Sequence, residues 1–65
     1  MKTTIKIGTS VQRNQPGDYT HGRGGYVIDR LGDRARVIWY LNPDGSFMKP
    51  AVRTWVNVKR LINVA

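Results

Sequence analysis

The chain has 65 residues, with 11 Lys or Arg against 4 Asp or Glu and a formal net charge of +7. Its length predicts a single domain, residues 1–65, and the lack of cysteine excludes disulfides and thiolate metal sites. No apolar block has the length that a signal peptide or a membrane span requires. We therefore expect a cytoplasmic protein that makes no contact with a membrane.

The excess of positive charge favours a polyanionic partner, and nucleic acid is the first candidate. Seven of the basic residues are Arg, whose planar guanidinium group matches phosphate oxygens and guanine edges. The apolar content of 40% is too high for intrinsic disorder. The charge is therefore expected on a folded domain, and the alternative is that it serves only to keep a small domain in solution.

The first half of the chain predicts strands that flank a long loop. Thr3–Ile7 is β-branched and alternating, and it leads into Ser10–Arg13. Residues 14–24 include a Pro-Gly turn dipeptide and several glycines, which predict a long loop. Gly25–Arg30 is the next strand, because it is rich in β-branched and aromatic residues. Leu31–Asp33 is a tight connection with glycine at the turn.

Arg34–Leu41 is the strongest predicted strand, because its residues alternate cleanly between two faces. Its apolar face contains Ala35, Val37, Trp39 and Leu41. Its other face is basic and aromatic and contains Arg34, Arg36, Ile38 and Tyr40. The apolar face predicts that Trp39 belongs to the core.

The second half of the chain continues with short elements. Asn42–Ser46 contains an Asp-Gly pair, which predicts a hairpin turn. Phe47–Pro50 is predicted to be an irregular arm, because proline is disfavoured in a central strand. Ala51–Asn57 is the next strand. Val58–Leu61 is predicted to form a single 3-10 turn, and residues 62–64 a last short strand.

Three segments of this pattern carry a resemblance to a known family. They are Gly8-Thr9-Ser10-Val11 as the entry, Gly22-Arg23-Gly24-Gly25-Tyr26-Val27-Ile28 as the second strand, and Arg36-Val37-Ile38-Trp39 as the third. Their order resembles that of KOW-type SH3-like small β-barrels. The resemblance implies an all-β fold, a five-stranded SH3-like barrel with a single short 3-10 turn before the last strand. It also favours a binding module over an enzyme, since barrels of this kind bind RNA, DNA, methylated lysine or other proteins.

The sequence offers little for catalysis, and we predict no enzyme, no cofactor and no metal site. The one histidine, His21, has Asp18 nearby, but both stand in the predicted loop without further ligands or a fixed partner. The glycines of Gly22–Gly25 lack the Gly-Lys-Ser/Thr ending of a nucleotide-binding loop. They are interpreted as a basic loop in which Arg23 reaches a phosphodiester, or as a turn in which glycine only relieves strain.

The predicted binding face is centred on the strand Arg34–Leu41. Arg34 and Arg36 project the same way about 7 Å apart, close to the spacing of successive phosphates, and Tyr40 continues their row. Charge is expected also from Arg23, Arg30, Arg53 and Lys59. Trp55 is either an exposed stacking group on the same face or a residue buried under the Phe47-Met48 arm. The alternative is that this face is an ordinary solvated strand surface.

These residues predict a nucleic-acid-binding protein that contacts the phosphate backbone, with DNA favoured over RNA. The expected site consists of Arg23, Arg34, Arg36, Tyr40, Arg53, Trp55 and Lys59. The alternative hypothesis is a protein-docking accessory module or inhibitor, phage- or plasmid-encoded, that binds an acidic partner protein. A third hypothesis is homo-oligomerisation through the strand Thr3–Ile7.

Overall fold

The computed structural model describes residues 5–64, which form one antiparallel sheet of five strands. The strands are β1 (Ser10–Arg13), β2 (Gly24–Leu31), β3 (Arg34–Leu41), β4 (Phe47–Asn57) and β5 (Leu61–Asn63). A single 3-10 turn, Val58–Arg60, precedes β5. The predicted all-β fold with five strands and one such turn before the last strand is confirmed. No helix in the described residues is long and apolar enough to cross a membrane.

The strand order β4-β3-β2-β1-β5 places β4 and β5 at opposite edges of the sheet. The 3-10 turn is only three residues long, so the end of β4 and the start of β5 must lie close together. The sheet therefore curls around the core. The amide of Asn14, just after β1, donates to the carbonyl oxygen of Arg60 at 2.7 Å and fixes the turn against the sheet.

Two tight turns connect the central strands as their sequences predict. Gly32 has φ of 60° in the two-residue loop between β2 and β3, and no non-glycine residue described has a positive φ. This combination matches a type II′ hairpin, which requires glycine at its first central position. Gly45 has φ of 91° between β3 and β4, where the Asn42 amide donates to the Ser46 carbonyl oxygen at 2.7 Å.

The core is formed by one face of the sheet and by the segment before β1. Trp39 is its largest fully buried side chain and is 1% exposed, so its predicted place in the core is confirmed. The Trp39 Nε1 donates a hydrogen bond to the Thr54 Oγ1 at 2.8 Å. The other buried side chains are Ile5, Val11, Val27, Ala35, Val37, Val56 and Leu61. Leu41, also expected on the apolar face, is only half-buried.

The segment before β1 differs from its prediction. Residues 5–7 are not a strand, and the Thr9 amide donates to the Lys6 carbonyl oxygen in a turn at Gly8, whose φ is 91°. The predicted strand is therefore wrong for residues 5–7, while Thr3 and Thr4 lie outside the described residues. Ile5 is buried against the core instead. Residues 5–7 thus offer no strand edge for the oligomerisation hypothesis.

The later strand boundaries also differ. β4 begins at Phe47, so Phe47–Pro50 is part of the strand and not an irregular arm. Pro50 is accommodated because β4 is an edge strand and because Pro50 lies in the irregular stretch between the paired residues Phe47 and Val52. β5 begins at Leu61, whose side chain is buried, and ends one residue before Val64.

Replacement of Trp39 by alanine should lower the free energy of unfolding by about 3–5 kcal/mol, since it opens a large cavity in the core. A domain of this size has about 5 kcal/mol in total, so the variant should be largely unfolded. Urea denaturation followed by circular dichroism measures the change, with Trp55→Ala as the half-exposed control. A Trp39→Ala variant that unfolds at the parent's urea concentration would contradict the burial of this side chain.

Replacement of Gly25 by alanine should also unfold the domain. A Cβ atom at Gly25 would lie 2.1 Å from the Ile38 carbonyl oxygen, which belongs to the backbone of β3 and cannot turn aside. The expected loss is about 3 kcal/mol or more, at the upper end of overpacking effects. Gly24→Ala is the matched control, because its nearest atom is the Leu41 Cδ1 at 3.1 Å, which belongs to a flexible side chain. Equal stabilities of the two variants would disprove the close approach at Gly25.

Candidate functional site

Three arginines and a tryptophan share the outer face of β3 and β4. Arg34, Arg36 and Arg53 are exposed, and Trp55 lies directly opposite Arg36 in the register of the two strands. We call these four residues the arginine face. Arg34 and Arg36 are two residues apart on β3, or about 7 Å. Arg53 is the diagonal neighbour of Arg36, at a distance of about 7–8 Å.

Trp55 lies at the centre of this group. It is 44% exposed, and Arg53 and Asn57 flank it on β4. Met48 packs against the core cluster and Phe47 is 69% exposed, so the Phe47-Met48 arm does not bury Trp55. The alternative of a covered indole is therefore wrong. An exposed ring surrounded by guanidinium groups presents both a stacking surface and positive charge.

The charges of the arginine face are not neutralised within the domain. Among residues 5–64, no carboxylate forms an ion pair with Arg34, Arg36 or Arg53. Asp29 pairs with Arg36 in the strand register, but its Oδ1 accepts a hydrogen bond from the Arg30 amide at 2.8 Å. The face is therefore positive overall and retains its donors for an external acceptor.

Arg30 does not belong to this face. β2 contains an irregularity between Val27 and Asp29, and as a result Arg30 pairs with the buried Ala35 and not with Arg34. The Arg30 Nε donates to the Ile5 carbonyl oxygen at 3.0 Å. Its side chain thus fixes the N-terminal segment, and the expectation that it widens the basic patch is wrong.

Tyr40 continues the β3 row but is separated from the arginines by Ile38. It lies about 13 Å along the strand from Arg36. Its ring centroid is 6.0 Å from that of Tyr26, with the planes tilted by 59°. Tyr40 also lines a separate, mostly apolar cleft with Leu41. The two tyrosines therefore form a second aromatic group, apart from the arginine face.

Lys59 and Arg23 lie outside the two strands that carry the arginine face. Lys59 is exposed in the 3-10 turn, where its amide donates to the Asn57 Oδ1 at 2.9 Å, next to the end of β3 that carries Arg34. Arg23 is half-buried at the end of the long loop, and its guanidinium carbon is 5.4 Å from the centroid of the Tyr19 ring. Lys59 therefore extends the arginine face, whereas Arg23 approaches β4 from the loop.

The long loop and β4 enclose two adjoining clefts, which share Arg13, Trp55 and Val56. We call them together the loop groove. One cleft has a volume of about 320 Å³ and is lined by Tyr19 and Arg23. The other has a volume of about 380 Å³ and is lined by Arg34 and Arg60. Sequence reasoning missed Arg13 and Arg60, because no local pattern indicates where a loop of this length folds back.

The loop itself is held by local hydrogen bonds, which involve both residues considered for catalysis. The Gln15 amide donates to the His21 Nδ1 at 3.0 Å. The Asp18 Oδ1 accepts from the Thr20 hydroxyl and amide, at 2.5 Å and 2.8 Å. These bonds, with Arg13 and Arg23 nearby, lower the pKa of Asp18. The described residues contain no group of three or more His, Asp or Glu side chains able to hold a metal ion.

Comparison of the chain with protein-family models, curated proteins and solved structures found no match. The resemblance to KOW-type barrels consequently rests on the sequence motifs and the order of the elements.

Replacement of Thr20 by valine should raise the pKa of Asp18 towards its ordinary value of 3.8, because the threonine hydroxyl is the largest contributor to the lowering. In the parent, the carboxylate stabilises the loop above about pH 4, and this contribution is lost as the pH falls through the lowered pKa. Carboxyl-carbon NMR titration measures the shift. Asp44, whose pKa is lowered by Ser46, is the internal reference and should not move. An unchanged pKa of Asp18 would contradict the conclusion that the Thr20 hydroxyl lowers it.

Proposed function

We propose that this chain is a small cytoplasmic nucleic-acid-binding protein of the SH3-like barrel type, which contacts the phosphate backbone and favours DNA over RNA. The observation that carries the proposal is the arginine face, where three arginines that form no ion pair within residues 5–64 surround an exposed tryptophan. The strand order and the 3-10 turn before β5 support the barrel type. Lys59 and Arg23 supply further charge beside this face.

Phosphate contact suits the geometry of these side chains. Each guanidinium group offers several donors in a rigid fork, which fits phosphate oxygens bidentately. The spacing of Arg34 and Arg36, about 7 Å, is close to that of successive phosphates along one strand. Binding would also release condensed counterions and relieve the mutual repulsion of the arginines. Affinity is therefore expected to come mainly from electrostatics.

Sequence specificity should be modest. The only helical element in the described residues is the three-residue 3-10 turn, so these residues contain no recognition helix that could enter the major groove. Contacts to phosphates fix the position of a protein on nucleic acid without selecting a base sequence. We therefore propose binding that is strong in low salt and similar across sequences.

The second candidate is docking to an acidic protein, and the exposed Leu31 beside Arg34 favours it. Apolar contacts with a charged rim are typical of protein interfaces. Of the other large exposed apolar side chains, Ile7 and Val64 lie on other elements, and Phe47 lies at the opposite end of β4, eight residues from Trp55. The arginine face therefore contains little apolar surface besides Trp55, and nucleic acid is the better candidate.

The affinity for duplex DNA should fall steeply with salt concentration. With roughly three to five phosphate contacts, the logarithm of the binding constant plotted against the logarithm of the salt concentration should have a slope of about −3 to −4.5. The double variant Arg34→Gln/Arg36→Gln should reduce that slope by about 2 on every sequence tested. Fluorescence anisotropy with labelled duplexes across a salt series measures both values.

Lys6→Gln/Lys49→Gln is the matched control, because it removes the same charge at two exposed positions away from the arginine face. Lys49 is eight residues along β4 from Asn57, the partner of Arg34. The control should change the slope by less than half as much as the double arginine variant. Equal effects of the two variants, or an affinity that does not change with salt concentration, would argue against phosphate binding by the arginine face and would favour protein docking.

A further inference from the structure

The loop groove carries positive charge beyond that of the arginine face, with which it shares Arg34 as its one common arginine. Four arginines line it, namely Arg13, Arg23, Arg34 and Arg60, against a single carboxylate, Asp18. Asp18 is engaged by the hydroxyl and amide of Thr20. The groove is therefore a concave positive surface, and clefts lined by one sign of charge concentrate ions of the opposite sign.

Arg13, at the junction of the two clefts, has donors that the domain leaves unused. Its Nη2 donates to the Gln15 Oε1 at 2.7 Å, but its buried Nε has no hydrogen-bond partner. A buried donor without an acceptor is unfavourable. Among the described residues this is the single buried side-chain nitrogen or oxygen without a partner. An anionic oxygen in the groove would lie beside the Arg13 guanidinium group, which has an N–H donor without an acceptor.

Aromatic rings accompany this charge at the junction of the two clefts and in the cleft beside the loop. Tyr19 is 85% exposed at the loop, and the Arg23 guanidinium lies over its ring. Trp55, at the junction, lines both clefts and belongs also to the arginine face. A positively charged groove with exposed aromatic rings along it is the arrangement by which proteins hold unpaired nucleic-acid strands.

The size of the groove selects among the forms of nucleic acid. Each cleft, of about 320 Å³ and 380 Å³, is at the lower end of the range for small-ligand pockets and suits a nucleotide unit. The bases of a duplex are stacked inside it and are not presented to a protein ring without extrusion. An unpaired strand presents both its bases and its phosphates, so it can satisfy the rings and the arginines together.

We propose that the loop groove binds an unpaired nucleic-acid strand, with bases stacked on Trp55 and Tyr19 and phosphates facing Arg23, Arg34 and Arg60. This inference rests on the proposed function and specifies the form of nucleic acid that the protein prefers. The arginine face then serves the phosphates that flank the bound segment. Trp55 and Arg34 belong to both surfaces and join them into one path across β4.

The test is a titration of the protein's tryptophan fluorescence with three probes at equal phosphate concentration. They are a hexathymidylate strand, an abasic strand with the same phosphates, and a duplex of mixed sequence. Trp39 is buried and gives a constant background, so a change in emission reports on Trp55. We expect quenching and the tightest binding with the thymidylate strand, and weaker binding without quenching for the abasic strand and the duplex.

Two substitutions separate stacking from charge. Trp55→Leu should weaken binding of the thymidylate strand by about 5- to 150-fold, as loss of one base–aromatic stack does elsewhere, and should affect the abasic strand little. Arg60→Gln should reduce the salt slope for a single strand by about 0.7. Lys49→Gln removes the same charge at an exposed position of β4 that lines neither cleft, and it should reduce the slope less. Both side chains are exposed, so both variants should fold.

The outcomes distinguish the two proposals. Equal binding of all three probes without quenching would overturn the groove proposal and leave the arginine face as a phosphate-binding surface. Failure of every nucleic-acid probe would overturn both proposals. Quenching by an acidic peptide, such as oligoglutamate, in the absence of any response to the thymidylate strand would assign the groove to a protein partner and overturn it as well.

Discussion

The close approach of β2 to β3 at Gly25 is the constraint on which the rest of the structure depends. Gly25 pairs with Val11 of β1 on one side and with Trp39 of β3 on the other, and the Ile38 carbonyl oxygen leaves no room for a side chain. The sheet can therefore curl at this position and enclose Trp39. Because the long loop connects β1 to the start of β2, the same contact sets where the loop leaves the sheet and faces β4.

The arrangement of charge follows from how little core the domain has. Eight side chains make up the buried apolar core among the described residues, and none of the buried residues is polar or charged. Apart from Arg30, which binds the Ile5 carbonyl oxygen, the arginines lie on the outer face or in the groove, where they repel one another. A domain of this size has little stability to offset such repulsion. A polyanion bound to the native state would add stability by neutralising it.

Strand β4 brings the two proposed binding surfaces together. It is an edge strand of 11 residues, and such strands are prone to pair with other chains. Lys49, Pro50 and Arg53 on this strand are of the types that natural edge strands use against unwanted pairing. In our proposal, Arg53 protects the edge strand from unwanted pairing and, together with Trp55, contacts nucleic acid. The long loop beyond this edge forms the opposite wall of the groove.

The amino-acid sequence by itself determined the elements that depend on neighbouring residues. The alternation in Arg34–Leu41 placed Trp39 inside and Arg34 and Arg36 outside, and the glycines of the hairpins marked the turns, because period and positive φ are local properties. For Trp55 the sequence left two alternatives, an exposed position on the outer face and burial under the Phe47-Met48 arm, and the first is the one found. Tertiary structure alone decided the rest of the candidate site. An irregularity in β2 turned Arg30 inward, and the return of the long loop brought Arg13, Arg23 and Arg60 around Trp55. Both outcomes depend on contacts between residues far apart in the chain, for which no local pattern exists.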